Sequence, residues 1–543
     1  MGDVQADMEG PGPTQRGAKY DDLLCTPMDT SAEAETFERA TVSYENKGGR
    51  FLLTGPRNFQ RQYAQLYFCR LSLLAGAARA AAASRWPGAP AAKTLGAAEG
   101  VECVVVGTLF KQQRLRPSVL DEYSKDGALK QARGGAAPDQ LLLTLHTLTR
   151  ARPQALGLTN FCDASDAIVL EDEGSRLVLR GATPEALPVG ALVTGVVAAV
   201  RGRADAGGDF VVTDICFPGL PPQPPRPQLE GDAYVALLSG LELAGGGGAE
   251  RLRVQLLVDF LTGNLAGRDQ QASLVAGVAR LVILGSTLGR LEALSGAAPP
   301  PPGGGASGGG GGGAGGGGFN GGGRAAPGGG AAAAAVATKA VLEPVADMDM
   351  AITELAAALP VDVLPGPDDP ANVSLPQQPL HACLFPGAAP YASFVRATNP
   401  HECELGGVRL LATSGQNIED MAKYTEGVDR LDLMESTLRW RHLAPTAPDT
   451  LTCYPFTDDD PFVLGGGGGG GGGASGSGGG ACPHAYIVGN QPEFATRLVT
   501  GEDGQVVRLV AVPSFAATGA LVLLNLRTLQ CQLMTFGAYR GAE

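Results

Sequence analysis

The sequence predicts two domains of different class, an all-β domain followed by an α/β domain that also has a substantial β half. Between about residues 36 and 225, short β-like runs are separated by turn residues, which is typical of a small barrel or sandwich. From about residue 230, apolar strands alternate with amphipathic helices, which indicates a parallel or mixed sheet covered on both faces. The proline-rich tract LPPQPPRPQ (220–228) separates the two patterns and predicts a stiff linker.

The length of the chain overstates how much of it can fold, because 80 of its 543 residues are glycine. Once low-complexity runs are set aside, roughly 430 residues remain, enough for two or three domains. Residues 1–35 are predicted to be a disordered tail. Segments 75–100, 295–335 and 465–480 are rich in Ala, Gly and Pro and lack the side chains that offset ordering entropy, so each is predicted to be a flexible insertion.

The first domain is assigned to residues 36–225 on the basis of five β-like runs, VECVVVGTLF, DAIVLED, RLVLRG, ALVTGVVAAVRG and DFVVTDICF. The second domain is assigned to residues 226–543. It opens with the apolar run DAYVALLSG, after which Leu252, Leu256 and Phe260 recur at helical spacing. ARLVILGS, a long helical segment and PVDVLPG follow, and four runs beyond residue 400 have the character of antiparallel strands.

Composition excludes several classes of function. The chain has 41 basic and 55 acidic residues, a net charge of −14, which argues against strong autonomous binding of nucleic acid. None of its ten cysteines forms a CxxC pair, which argues against a zinc ribbon. The longest apolar stretch, LVAVPSFAATGALVLLNL, is interrupted by Pro and Gly and predicts two strands and a turn rather than a membrane span. We expect a reduced, soluble, intracellular protein.

The ends of the predicted parallel strands are where such a sheet would place chemistry. A two-metal phosphoesterase needs about six oxygen or nitrogen ligands there, so that two cations can share a bridging ligand and activate water. The corresponding positions in this chain are Ser239, Ser286, Asp368 (or its neighbour Asp369) and Asn490. Only the aspartate and the asparagine retain a possible ligand atom, so we predict no metal and no catalytic residue at these degenerate positions.

His442, in RWRHLAPTAPD, is the one histidine of five that is placed to be a surviving ligand. The loop LPGPDDPANVSLPQQPLH (364–381) is interpreted as a rigid structural loop, because its prolines restrict the backbone and its aspartates suit turns. Metal-dependent hydrolysis, by a phosphodiesterase or nuclease, remains the alternative.

Seven segments carry a specific resemblance to a known family. They are NFQRQYAQLYFCRL (58–71), GTLFKQQRLRPSVLDEY (107–123), LLVDFLTGN (256–264), LPQQPLH (375–381), TSGQNIEDM (413–421), RHLAPTAPDTLTCYPF (441–456) and VPSFAATGALVLLNLRTLQC (512–531). Together they closely resemble the family of small, or B, regulatory subunits of eukaryotic DNA polymerase delta. The resemblance runs from about residue 37 to 537, apart from the low-complexity insertions.

The resemblance implies an OB-fold joined to a calcineurin-like phosphoesterase domain that is inactive in eukaryotic members. It implies a noncatalytic scaffold that acts in the nucleus in DNA replication and repair synthesis, with no cofactor of its own. Its partners would be the C-terminal cysteine-rich domain of the catalytic subunit of DNA polymerase delta and a third accessory subunit. DNA would be contacted only indirectly or weakly, and no membrane is implied.

Three further segments have more than one interpretation. In KQQRLRPSVL, Lys111, Arg114 and Arg116 favour partner contact or internal packing, and an OB-type single-strand DNA binder is the alternative. FQRQYAQLYFCRL places aromatic side chains on one helical face, which favours core packing over docking of a partner helix. TDDDPF (457–462) is predicted to be a solvated acidic turn.

Overall fold

The computed structural model describes most of the chain: residues 38–55, 58, 60–93, 100–116, 159–172, 174–244, 248–265, 274–289, 329–465 and 480–537. The predicted tail at 1–35 and the greater parts of the segments 295–335 and 465–480 lie outside these residues.

The all-β domain is a closed barrel. Its strands are β2 (Ala91–Ala92), β3 (Glu102–Gln112), β4 (Ala167–Glu171), β5 (Arg176–Gly181), β6 (Val197–Ala204) and β7 (Phe210–Cys216). The order β3-β4-β5-β7-β6 closes by pairing of β6 with β3, and all neighbours are antiparallel except β5 and β7. Alternating side chains such as Leu177 and Leu179 of β5 point inward, because successive residues of a strand face opposite sides.

Helix α1 (Ala64–Arg85) packs on this barrel and corrects one prediction. The segment 75–100 was expected to be a flexible insertion, but residues 75–85 are helical, and Ala75, Ala78 and Ala82 are buried. Alanine has the highest helix propensity, and its small side chain lets a helix approach the sheet closely. The helix is also long and apolar enough to span a membrane, but its buried face packs on the barrel and carries Arg70.

The second domain contains two six-stranded sheets. The first sheet has the order β11-β10-β9-β8-β17-β18 and consists of β8 (Tyr234–Leu238), β9 (Val278–Leu284), β10 (Val361–Leu364), β11 (Phe394–Arg396), β17 (Ala520–Asn525) and β18 (Cys531–Thr535). Strands β8 to β11 are parallel, and β17 and β18 are antiparallel to their neighbours.

The second sheet has the order β1-β12-β13-β14-β16-β15 and consists of β1 (Tyr44–Asn46), β12 (His401–Leu405), β13 (Val408–Thr413), β14 (Ala485–Gln491), β15 (Ala495–Thr500) and β16 (Val506–Pro513). Strands β13, β14 and β16 are parallel, and the other pairs are antiparallel. The two sheets face each other across an apolar layer that includes Val282, Leu364, Leu405 and Ile487.

Helices cover the outer faces of both sheets. The remaining helices are α2 (Gly248–Thr262), α3 (Gly329–Ala358), α4 (Gln416–Lys423), α5 (Arg430–Arg439) and α6 (Phe515–Thr518), with 3-10 turns at Gly48–Phe51, Val189–Ala191 and Ala382–Leu384. Leu257 of α2 and Ile352 of α3 pack on the first sheet, and Ile418 of α4 packs on the second. Because α3 begins at Gly329, the predicted insertion 295–335 is wrong over its last residues.

The predicted boundary at residue 225 does not divide the chain cleanly. Strand β1 lies within the assigned first domain, 36–225, yet it pairs with β12 in the second sheet. One hydrophobic cluster also runs from Leu109 and Val193 of the barrel to Leu443 and Tyr486 of the second domain. The described residues from 39 to 537 accordingly form one compact unit.

Candidate functional site

The ends of β8 and β14 are joined by neutral hydrogen bonds. The Ser239 hydroxyl donates to the carbonyl of Pro513 (2.9 Å) and accepts from the backbone N–H of Asn490 (3.0 Å). The Asn490 side-chain amide donates to the carbonyls of Leu284 (3.2 Å) and Ser414 (2.8 Å). These two positions, which the sequence analysis named as degenerate ligands, bind each other and the main chain.

The ends of β9 and β10 meet backbone to backbone. A Cβ atom added at Gly366 would lie 2.2 Å from the backbone nitrogen of Ser286, and one added at Gly285 would lie 2.3 Å from the Ser414 hydroxyl. Gly285 and Ser286 both have positive φ angles, 83° and 52°. The ends of β9 and β10 lie in direct contact. Because the backbones approach so closely, positions 285 and 366 have room only for glycine.

Of the two aspartates in the loop after β10, Asp369 turns inward and Asp368 is half-buried. The Asp369 carboxylate accepts hydrogen bonds from the backbone N–H groups of Gly366 (2.8 Å) and Leu288 (2.9 Å). Burial raises the pKa of Asp369, and the bonds from the backbone N–H groups oppose that rise. The carboxylate ties the loop to the end of β9.

His442, the one histidine placed to be a surviving ligand, has both ring nitrogens engaged in hydrogen bonds. Its Nδ1 accepts from the backbone N–H of Ala444 (3.1 Å), and its Nε2–H donates to Asp460 (2.8 Å). Burial and the nearby charge of Arg70 lower the pKa of His442 to about 4, although Asp460 acts in the opposite direction. The ring is therefore neutral at physiological pH.

His442 belongs instead to a buried charged cluster, the Arg70 cluster, made of Arg70, Asp460 and His442. The Arg70 guanidinium is fully buried, and its Nε donates to Asp460 (3.0 Å). Its two other nitrogens donate to the carbonyls of Gly195 (3.2 Å), Pro445 (2.8 Å) and Ala447 (2.7 Å). Burial alone would raise the pKa of Asp460, but His442 and Arg70 hold it far below its usual value.

The Arg70 cluster joins helix α1 and the barrel to the second domain, because Gly195 belongs to the barrel and Asp460 to the domain after it. The interpretation of TDDDPF as a solvated turn is wrong for Asp460, which is 2% exposed. The available signal was Arg70 itself, a charge on the apolar face of a helix, since buried arginines are almost always paired.

Two of the three basic residues beside the barrel bind groups of the same chain. The Lys111 ammonium is 1% exposed and donates to the carbonyl of Tyr424 (2.9 Å). Arg116 binds the carboxylate of Asp449 (2.5 Å) and its carbonyl (2.8 Å). Arg114 is exposed. Of the two preferred interpretations, partner contact and internal packing, internal packing fits Lys111 and Arg116.

Comparison with known proteins assigns both domains. Residues 62–215 match the family model of the DNA polymerase delta subunit OB-fold domain, and residues 235–496 match the family model of the B-type subunits of DNA polymerases alpha and epsilon. The OB-fold prediction is confirmed, in agreement with the barrel topology.

Relatives that align with more than nine-tenths of the chain support the same assignment. The DNA polymerase delta small subunit of Oryza sativa is 38% identical over 506 residues, which cover 92% of this chain and 98% of that protein. That of Arabidopsis thaliana is 39% identical over 503 residues, with 92% and 96% covered. DNA polymerase delta subunit 2 of Drosophila melanogaster is 33% identical over 502 residues, with 92% and 98% covered. The chain therefore belongs to the family of DNA polymerase delta small subunits and is an accessory, noncatalytic subunit of that polymerase.

Proposed function

We propose that the second domain of this accessory subunit is an inactive phosphoesterase-like domain that serves as a scaffold. The observation that carries the proposal is the closure of the four strand ends. Ser239 and Asn490 are engaged with each other and with carbonyls, Gly366 lies against Ser286, and the Asp369 carboxylate is held by backbone N–H groups. Two cations about 4 Å apart require several free anionic or imidazole ligands.

The scaffold bridges two partners, the C-terminal cysteine-rich domain of the polymerase delta catalytic subunit and a third accessory subunit. It does so in the nucleus, in DNA replication and repair synthesis. The Arg70 cluster and the shared hydrophobic cluster support this role, because they hold the barrel and the second domain in one arrangement. A preorganised surface loses little conformational freedom on binding, and permanent assemblies bury more than about 2,000 Å².

Hydrolysis is tested by incubating the full chain with Mn²⁺ and bis(p-nitrophenyl) phosphate, beside the variant Asp369→Asn. We expect no turnover above the rate of that variant. Turnover that is abolished by chelator and absent from Asp369→Asn would overturn the proposal. Turnover shared equally by both proteins would identify a contaminating nuclease, and the proposal would stand.

Bridging is tested by producing the three subunits together and separately. We expect the catalytic and third subunits to elute together in gel filtration only when this chain is present. Elution of those two subunits as one complex in the absence of this chain would show that it is not the bridge.

A further inference from the structure

A second group of polar side chains lies inside the second domain, away from the strand-end positions. Asp362 stands on β10 of the first sheet, and His401 and Cys403 stand on β12 of the second sheet. All three are buried between the sheets, with exposures of 0%, 1% and 2%. Their carboxylate oxygen, ring nitrogen and sulfur atoms lie within 4.8 Å of one another.

These side chains are incompletely satisfied within the described residues. Neither ring nitrogen of His401 has a hydrogen-bond partner there, and neither has the Oδ2 atom of Asp362. His401 Nε2 lies 3.6 Å from that oxygen, which is longer than a hydrogen bond. Leaving a buried polar atom without a partner destabilises the folded state, so native proteins rarely leave several such atoms together.

The surroundings orient the carboxylate. The Arg280 guanidinium donates to Oδ1 of Asp362 (2.5 Å), which leaves Oδ2 directed at the other two side chains. Metal-binding carboxylates are commonly fixed by such an outer hydrogen bond. The ring of Tyr44 lies 3.7 Å from the Arg280 guanidinium, and its buried hydroxyl also has no hydrogen-bond partner in the described parts of the chain.

The spacing of the ligands suits a metal. His401 and Cys403 are two residues apart on a strand, so both point to the same face, as chelating pairs on strands do. A nitrogen, a thiolate sulfur and a carboxylate oxygen together form a donor set that favours Zn²⁺ over Mg²⁺ or Ca²⁺. Two anionic ligands balance the charge of the ion, and Arg280 stays paired with the carboxylate.

We propose that Asp362, His401 and Cys403 bind one zinc ion that cross-links the two sheets of the second domain. The Tyr44 hydroxyl or a water molecule completes the tetrahedron. The site is structural, because it lies in the apolar layer between the sheets and not in a cleft. It is independent of the scaffold role and of the strand-end positions.

The test is elemental analysis of the full chain, produced with zinc and purified by gel filtration. We expect about one zinc ion per chain. The variants Cys403→Ser and His401→Gln should lose the ion, and Cys482→Ser, which changes a buried cysteine of another cluster, should retain it. Zinc retained by both ligand variants would overturn the proposal.

If the ligand variants fail to fold, a measurement on the unmodified chain still tests the zinc site. Refolded with Co²⁺, the chain should show a thiolate-to-cobalt charge-transfer band in the near ultraviolet, and a chelator should abolish that band and lower the melting temperature. A folded chain that contains no stoichiometric zinc, shows no such band and melts at the same temperature with chelator would exclude the site.

Discussion

The strand-end positions and the Arg70 cluster contrast in the way each region uses charge. At the strand ends, where a two-metal hydrolase needs several carboxylates and imidazoles, the chain has hydroxyl, amide and backbone groups bonded to one another, and the Asp369 carboxylate is held by backbone N–H groups. At the contact between barrel and second domain it buries a complete guanidinium, a carboxylate and an imidazole. The Arg70 cluster thus places buried charges where the barrel meets the second domain.

The difference teaches where rigidity comes from. A buried charge is tolerated only when every polar atom has a partner, and Arg70 meets that condition with one carboxylate and three carbonyls from three segments, those of Gly195, of Pro445 with Ala447, and of Asp460. Because the Arg70 guanidinium must reach all of these acceptors, the segments around it can adopt very few relative positions. The strand ends, in contrast, gain their rigidity from close backbone packing at Gly285 and Gly366.

The largest effect should come from Arg70→Ala. It leaves the Asp460 carboxylate buried without its cation and three carbonyls without a donor, so we expect the free energy of unfolding to fall by about 3–5 kcal/mol. Urea denaturation measures it. Arg79→Ala, on an exposed position of the same helix, should change stability by less than about 0.5 kcal/mol. Equal effects of the two variants would contradict the role of the Arg70 cluster.

Gly366→Ala tests the strand ends. The added Cβ would lie 2.2 Å from a backbone nitrogen, which cannot rotate away, so we expect a loss of about 3 kcal/mol, near the upper end for overpacking. Gly231→Ala is the control, because an added Cβ there meets no atom within 4 Å. A neutral effect of Gly366→Ala in thermal unfolding would show that the strand ends have room for a side chain.

His442 should make the protein less stable in acid. In the unfolded chain its pKa is near 6.5, so it takes up a proton below that pH, whereas the folded protein keeps it neutral down to about pH 4. The unfolded state therefore binds more protons in this window, and stability falls as the pH falls.

Between pH 7 and pH 5, the free energy of unfolding of the unmodified protein should fall by about 2 kcal/mol more than that of His442→Gln. The measurement is urea denaturation at both pH values, with His381→Gln, an exposed histidine, as the control. An unchanged pH dependence in His442→Gln would show that the imidazole is not held neutral.

The smallest effect should come from Arg116→Ala. Its ion pair with Asp449 is partly exposed, so its loss should cost about 1 kcal/mol or less. Because the side chain is engaged internally, affinity for a single-stranded oligonucleotide at physiological salt, measured by fluorescence anisotropy, should not change. Arg114→Ala is the matched exposed control. A clear loss of affinity in either variant would favour the single-strand DNA binder.

Local patterns explain what could be predicted of the fold. Period-two burial in β5 and the continuous apolar run of β8 are visible in the sequence because each pattern is formed by residues close together along the chain. The interruption of the last apolar stretch correctly separated β16 from β17. Residues 75–85 differ from the prediction because a run of alanines is low in sequence complexity and is also a strong helix former.

The residues of the candidate site also divide into those that a local sequence pattern locates and those that it does not. Ser239, Ser286 and Asn490 could be located because each lies at or just beyond the end of a recognisable strand. A charge on the apolar face of a helix predicts that Arg70 has a buried partner, but Asp460 lies 390 positions away, so no local pattern identifies it as that partner. The spacing of His401 and Cys403, two residues apart on a strand, is a usable signal that both side chains lie on one face.

Because strand β1 belongs to a sheet of the second domain, the barrel is an insertion between two segments of that domain. A protease that cut once in the connection at 218–230 would yield two fragments, and the amino-terminal fragment would still be held by the pairing of Tyr44–Asn46 with β12. The nicked protein should therefore elute as a single species until denaturant is added. Gene fragments that end near residue 225 would similarly lack the surface on which their first strand is seated.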